Sequence, residues 1–87
     1  MSGTGKGPTD RQRELGRRIK VRREAIGLSQ EALALAAGVH RTYVTQLENG
    51  MRNPSVETTS KLAVALGIDV AELTAGLQSI PGRPGGL

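Results

Sequence analysis

Only Val39 and His40 separate two segments that each read as a short amphipathic helix, and this spacing narrows the possible folds more than any other feature of the chain. Ser29 is a good N-cap for the first segment, residues 30–37, whose inward side is Leu33, Ala36 and Ala37. Gly38 ends it as a left-handed residue. The second segment, residues 41–49, gathers Tyr43, Val44 and Leu47 within about 100° of arc as its buried side. So short a connection does not suit antiparallel neighbours in an ordinary bundle. It forces a steep crossing of two short helices.

Composition limits what can surround that crossing. The 87 residues suit one small domain, and they include no Phe, no Trp and a single Tyr. The core must come from Leu, Ile, Val and Ala, which favours small, closely packed helices over a β-sandwich. The absence of cysteine excludes disulfide scaffolds, thiolate metal sites and cysteine nucleophiles. With one histidine, no His-based zinc site is expected. No apolar run approaches the ~20 residues of a bilayer span, and residues 1–10 have no apolar stretch of a signal peptide. The expectation is a soluble, cytoplasmic, helical binding module without cofactor, metal or membrane association.

The remaining elements follow from caps and periodicity. Thr9-Asp10-Arg11-Gln12 has the spacing of a capping box, opening a helix that runs to about Ile26 and stops at Gly27. Leu15, Ile19, Arg22, Arg23 and Ile26 share its stripe, so Arg23 is expected to be partly buried and to need a partner. Ser55 caps a fourth helix to about Leu66, with Leu62, Ala63 and Leu66 inward. Asp69-Val70-Ala71-Glu72 has the spacing of a second capping box, for a short fifth helix carrying Val70, Leu73 and Leu77. The predicted architecture is all-α, five helices over residues 9–78, between flexible tails at 1–8 and 79–87.

Net charge is +4 and the sequence pI near 10.4, which suggests a polyanionic partner. The charge is uneven. From Arg11 to Ile26, Arg11, Arg13, Arg17, Arg18, Lys20, Arg22 and Arg23 face only Glu14 and Glu24. A solvated helix face is the alternative reading of that cluster. On the third helix, Arg41, Thr42, Thr45, Gln46 and Asn49 lie opposite the buried side, none apolar and none acidic, a set suited to base edges and phosphates. Glu48 is the exception. It borders the buried side beside Val44, placed to meet Arg23.

The stretch QEALALAAGVHRTYVTQLEN, residues 30–49, resembles the helix-turn-helix of the Cro/repressor-type (Xre-like) transcription regulators, the lambda-repressor-like fold. Ala34 is small where the second helix approaches the third, Gly38 supplies the turn, and the flanks 23–30, 47–50 and 52–55 are similar to that family's signatures. The resemblance covers about residues 15–77. Within the family it extends to the controller proteins of restriction–modification systems. It implies a third helix in the major groove of double-stranded operator DNA, with Arg41, Thr42, Thr45 and Gln46 at the base edges. Arg41 suits guanine O6 and N7 or a phosphate, Gln46 suits adenine N6 and N7, and Thr42 a thymine methyl. Gln30, Arg52 and Asn53 match phosphate contacts, and Tyr43 and Arg22 are placed to reach phosphates as well. Arg22 departs from the apolar residue common at its position, and snorkelling to the surface is its alternative. Arg23 and Glu48 match a structural ion pair. His40 stands at an N-cap, where it is a poorer cap than Ser, Thr or Asp.

Regulators of this kind pair two-fold on palindromes, with RNA polymerase as a further partner at the promoter and the nucleoid as the place of action. Val70, Leu73, Leu77 and Ile80 are the candidates for the dimer interface, or else they close the monomer's own core. An antitoxin that binds a toxin and its own operator is the alternative function. No paired carboxylates at metal spacing, Ser/His/Asp set or Gly-rich phosphate loop supports an enzyme such as a nuclease.

Overall fold

The computed structural model describes residues 7–80; of the tails expected at 1–8 and 79–87, residues 1–6 and 81–87 lie outside them. Five α-helices run in the order α1 (Asp10–Ala25), α2 (Gln30–Ala37), α3 (Arg41–Glu48), α4 (Val56–Leu66) and α5 (Val70–Thr74), followed by a 3-10 turn at Leu77–Ser79. Three of the five starts carry a side-chain cap. Thr9 forms the full capping box with Gln12, and Ser29 and Ser55 accept from the backbone N–H groups of Ala32 and Thr58. His40 takes N-cap dihedrals but makes no side-chain cap bond. Asp69 does the same, so the second capping box does not form; its exposed carboxylate loses little by staying in water.

The core is aliphatic: Leu15, Ile19, Leu33, Val44, Leu47, Leu62, Leu66 and Leu73 are buried, with Ala34, Ala37 and Ala63 where helices approach closely. Two inward positions differ from the sequence reading. Ala34 is buried and Ala36 exposed, because α2 is wedged between α3 and α4 and turns Ala34 inward. Ile26 is 39% exposed, because α1 stops at Ala25 and Ile26 leaves helical register. Gly38, at φ 71°, ends α2 with the Val39 and Gly38 N–H groups donating to the Ala34 and Leu35 carbonyls. This closure turns the chain straight into α3.

The C-terminal segment folds onto its own protomer. Leu73 and Leu77 are 1% and 6% exposed, so neither has surface left for a partner; they close this chain's core. Val70 and Ile80 pack against that core while remaining half-exposed, which carries the packing past the boundary expected at residue 78.

The arginines of α1 hold this segment and its neighbours. Arg11 donates through Nε to the Leu77 carbonyl and through Nη2 to that of Ile80. Arg18 Nη1 donates to the Leu73 and Ala75 carbonyls, and Arg22 Nε to the Leu66 carbonyl at 2.9 Å. The carbonyls of Leu66, Leu73 and Ala75 lie at helix C-termini, where acceptors lack partners within the helix and the dipole favours cations, while those of Leu77 and Ile80 bracket the 3-10 turn. Positions 11, 18 and 22 share a helix face, since spacings of seven and eleven residues return to nearly the same angle. The basic cluster of α1 is thus largely spent on the fold. Arg22 in particular is engaged through Nε at the end of α4, away from the loop after α3.

One residue absent from the sequence reading sets the approach of α1 to α3. Gly16 is buried where α1 crosses the end of α3, and a Cβ there would collide with the Leu47 carbonyl oxygen and stand 2.9 Å from that of Glu48. Both are backbone atoms, which yield less easily than side chains. Gly16→Ala would gain ~0.5–1 kcal/mol of helix propensity at an open site. Here it is expected to lose ~1–3 kcal/mol through overpacking, read as a lower urea midpoint; a midpoint raised by this substitution would refute the close approach.

On the outer side of α1, Glu14 accepts from Arg17 and Arg18, and those bonds hold its carboxyl well down, from an ordinary 4.5 to about 2. A depressed folded-state pKa gives stability that is present above pH ~4.5 and lost as the pH falls through about 2. Glu14→Gln is expected to remove that part of the acid-side loss of stability. An unchanged slope of stability between those pH values would show that Glu14 does not contribute to it.

Candidate nucleic-acid interface

The arrangement of α3 begins at its C-terminal end, where α1, α2 and α3 meet on one carboxylate. Glu48 Oε2 accepts from Arg23 Nε at 2.6 Å, and Oε1 accepts from Arg23 Nη2 and from Gln30 Nε2, each at 3.0 Å. The side chains of Arg23 and Glu48 are only 10% and 3% exposed. Arg23 also donates to the Leu28 carbonyl, so the loop between α1 and α2 belongs to the same junction. The bond to Glu48 holds the Arg23 guanidinium above the ordinary arginine range. A buried pair of this kind roughly breaks even against an apolar replacement, but removing one partner alone costs ~3–5 kcal/mol.

From Glu48 the direction of each hydrogen bond is dictated outward. A carboxylate only accepts, so the Gln30 amide must turn its nitrogen to Glu48 and its oxygen the other way. That oxygen accepts from the Thr45 hydroxyl at 2.9 Å, with the Arg41 carbonyl as a second, longer acceptor at 3.2 Å. The Thr45 proton therefore points into the protein, and its methyl and oxygen lone pairs remain for a ligand. Gln30 keeps a second amide hydrogen beyond the one given to Glu48.

At the other edge, Arg52 reaches back from the loop after α3. Its Nε donates to Gln46 Oε1 at 2.8 Å, and its guanidinium carbon lies 5.6 Å from the centre of the Tyr43 ring. Tyr43 is half-buried against the core and so serves as a fixed platform. Arg41 and Thr42 at the start of α3 are exposed, as are Arg52 and Asn53. Val44 and Leu47, on the opposite side, are buried at 0% and 1%.

The structure thus brings Gln30, Arg41, Thr42, Tyr43, Thr45, Gln46 and Arg52 to α3 and its borders, and places Arg22 elsewhere. Sequence reasoning missed two links, Gln30 to Glu48 and Arg52 to Gln46, because both depend on how loops and α2 meet α3. Among the described residues, no group of three His, Asp or Glu side chains is placed to hold a metal ion.

Comparison with known proteins agrees with this arrangement. A family model described as helix-turn-helix matches residues 19–73. The control protein C.MunI of Mycoplasma sp is 39% identical over 59 residues, spanning 68% of this chain and 80% of the relative. The restriction-modification controller protein C.AhdI from Aeromonas hydrophila superimposes with a TM-score of 0.70 at 45% identity, over 71% of this chain and 94% of that one. The biofilm master regulator SinR, solved in complex with DNA, superimposes with a TM-score of 0.65 at 35% identity, over 68% and 95%. By the matched model, the sequence relatives and the fold together, the chain belongs to the helix-turn-helix family, in its Xre-like branch with the controller proteins.

Proposed function

We propose that this chain is a transcriptional regulator that binds double-stranded DNA sequence-specifically as a homodimer, with α3 in the major groove of a palindromic operator. The observation that carries the reading is the outer side of α3: Arg41 and Thr42 exposed, Thr45 and Gln46 beside them, no acidic side chain among them, and the one glutamate of the helix tied down by Arg23. Relatives named as controller proteins, and a neighbour solved on DNA, support it.

In this reading Arg41 bonds guanine O6 and N7 and Thr42 meets a thymine methyl. Gln30, Tyr43, Asn53 and the Nη groups of Arg52 hold the flanking phosphates and fix the register. One such domain covers only ~600–1,000 Å² of protein surface on DNA, modest for tight specific binding, and a two-fold pair doubles it. Of the four residues considered for pairing, Val70 and Ile80 retain surface to contribute. Bound beside a promoter, the dimer would meet RNA polymerase, and its work would lie at the nucleoid.

The test is a fluorescence-anisotropy titration of the DNA upstream of the protein's own gene against a scrambled duplex, at several salt concentrations. A preference of ~10³-fold or more, with two protomers per site, is expected. Equal, steeply salt-dependent binding to both duplexes would reject an autoregulatory operator there.

A further inference from the structure

Gln46 appears at first suited to adenine, because a free carboxamide can accept from adenine N6 and donate to N7 together. In this protein the carboxamide is not free. Arg52 Nε donates to Gln46 Oε1 at 2.8 Å, and the same guanidinium is steadied over the Tyr43 ring. A guanidinium only donates, so this contact settles which end of the amide turns back toward the loop and which is left outward. What remains outward is the Nε2 amino group, a donor, with a positive charge immediately behind it.

We infer that Arg52 is a positioning residue for base recognition: it holds Gln46 in a donor-outward pose, so that this position of the half-site reads guanine rather than adenine. Guanine offers two acceptors in the major groove, N7 and O6. Adenine's N6 donor must compete with Arg52 for an oxygen turned back toward the loop, with only its second lone pair left to offer, and cytosine presents an N4 donor to a donor. The cation favours the electron-rich guanine edge in the same direction. The carbonyl at Gln46 is engaged through the planar Nε–H of arginine, which a lysine ammonium does not reproduce, although lysine keeps the charge. This inference rests on the DNA-binding reading above and assigns one element of its specificity.

The experiment is selection from a library of randomised duplex DNA with the full chain and with the Gln46→Ala, Arg52→Ala and Arg52→Lys variants. The wild type is expected to enrich guanine at one column of each half-site, and Gln46→Ala to flatten that column alone. Both Arg52 variants should shift the same column toward adenine, changing the guanine-to-adenine ratio ~10-fold or more while the other columns stay. Arg52→Lys separates positioning from charge, since a phosphate contact would survive it in large part. Adenine at the Gln46-dependent column of the wild type would overturn the inference, as would Arg52 variants that weaken every sequence alike with that column intact. A wild-type selection that enriches no motif would instead reject sequence-specific DNA binding itself, and the inference with it.

Discussion

Glu48 joins α1 and α2 to α3, and the way these three helices meet depends on the hydrogen bonds that its carboxylate accepts. Its two oxygens take three donors, two from Arg23 on α1 and one from Gln30 on α2, at a site almost closed to water. An ion pair in such surroundings adds little net stability over an apolar contact. Its effect is geometric, since each donor is directional. The junction fixes where α3 lies relative to α1 and α2, and through Gln30 it fixes the direction in which Thr45 presents its hydroxyl. Gly16, seven residues before Arg23 and on the same face of α1, lets the helices come close enough for that reach.

The separation of charges follows from the same economy of contacts. A small aliphatic domain has many helix ends for its size, and each end leaves carbonyls without partners. Here α1 supplies arginines to the ends of α4, α5 and the final 3-10 turn. Hydrogen bonds from charged donors are worth ~1.5–3 kcal/mol each, more than neutral ones. Much of the densest basic segment of the sequence is therefore bound up in holding the fold, while Arg41 and Arg52 stand exposed on and beside α3, where basic residues are sparser.

Much of this was legible in the sequence. The caps at Thr9, Ser29 and Ser55, the turn at Gly38 and the buried side at Val44 and Leu47 are encoded within a few residues, which is the range over which local chemistry decides. The meeting of Arg23 with Glu48 was legible because two helical wheels each left one misplaced charge. The carbonyl caps of Arg11, Arg18 and Arg22 were not, since nothing local says that a carbonyl 44 to 69 residues away will arrive beside them. Leu73 and Leu77 could equally have been interface or core by pattern alone; only the packing of α5 against α1 and α4 separates the two. Gly16 did leave a signal, as a glycine inside a strongly periodic helix is costly unless something packs against it.

In the proposed function the face of α3, and not the basic α1, receives DNA. Backbone amide NMR during titration with a duplex carrying the selected site tests it residue by residue. Shift changes are expected to concentrate at Gln30, at Arg41 to Gln46 and at Arg52 and Asn53, with Arg11, Arg18 and Arg22 little affected. Changes centred on the α1 arginines, with α3 unmoved, would contradict it.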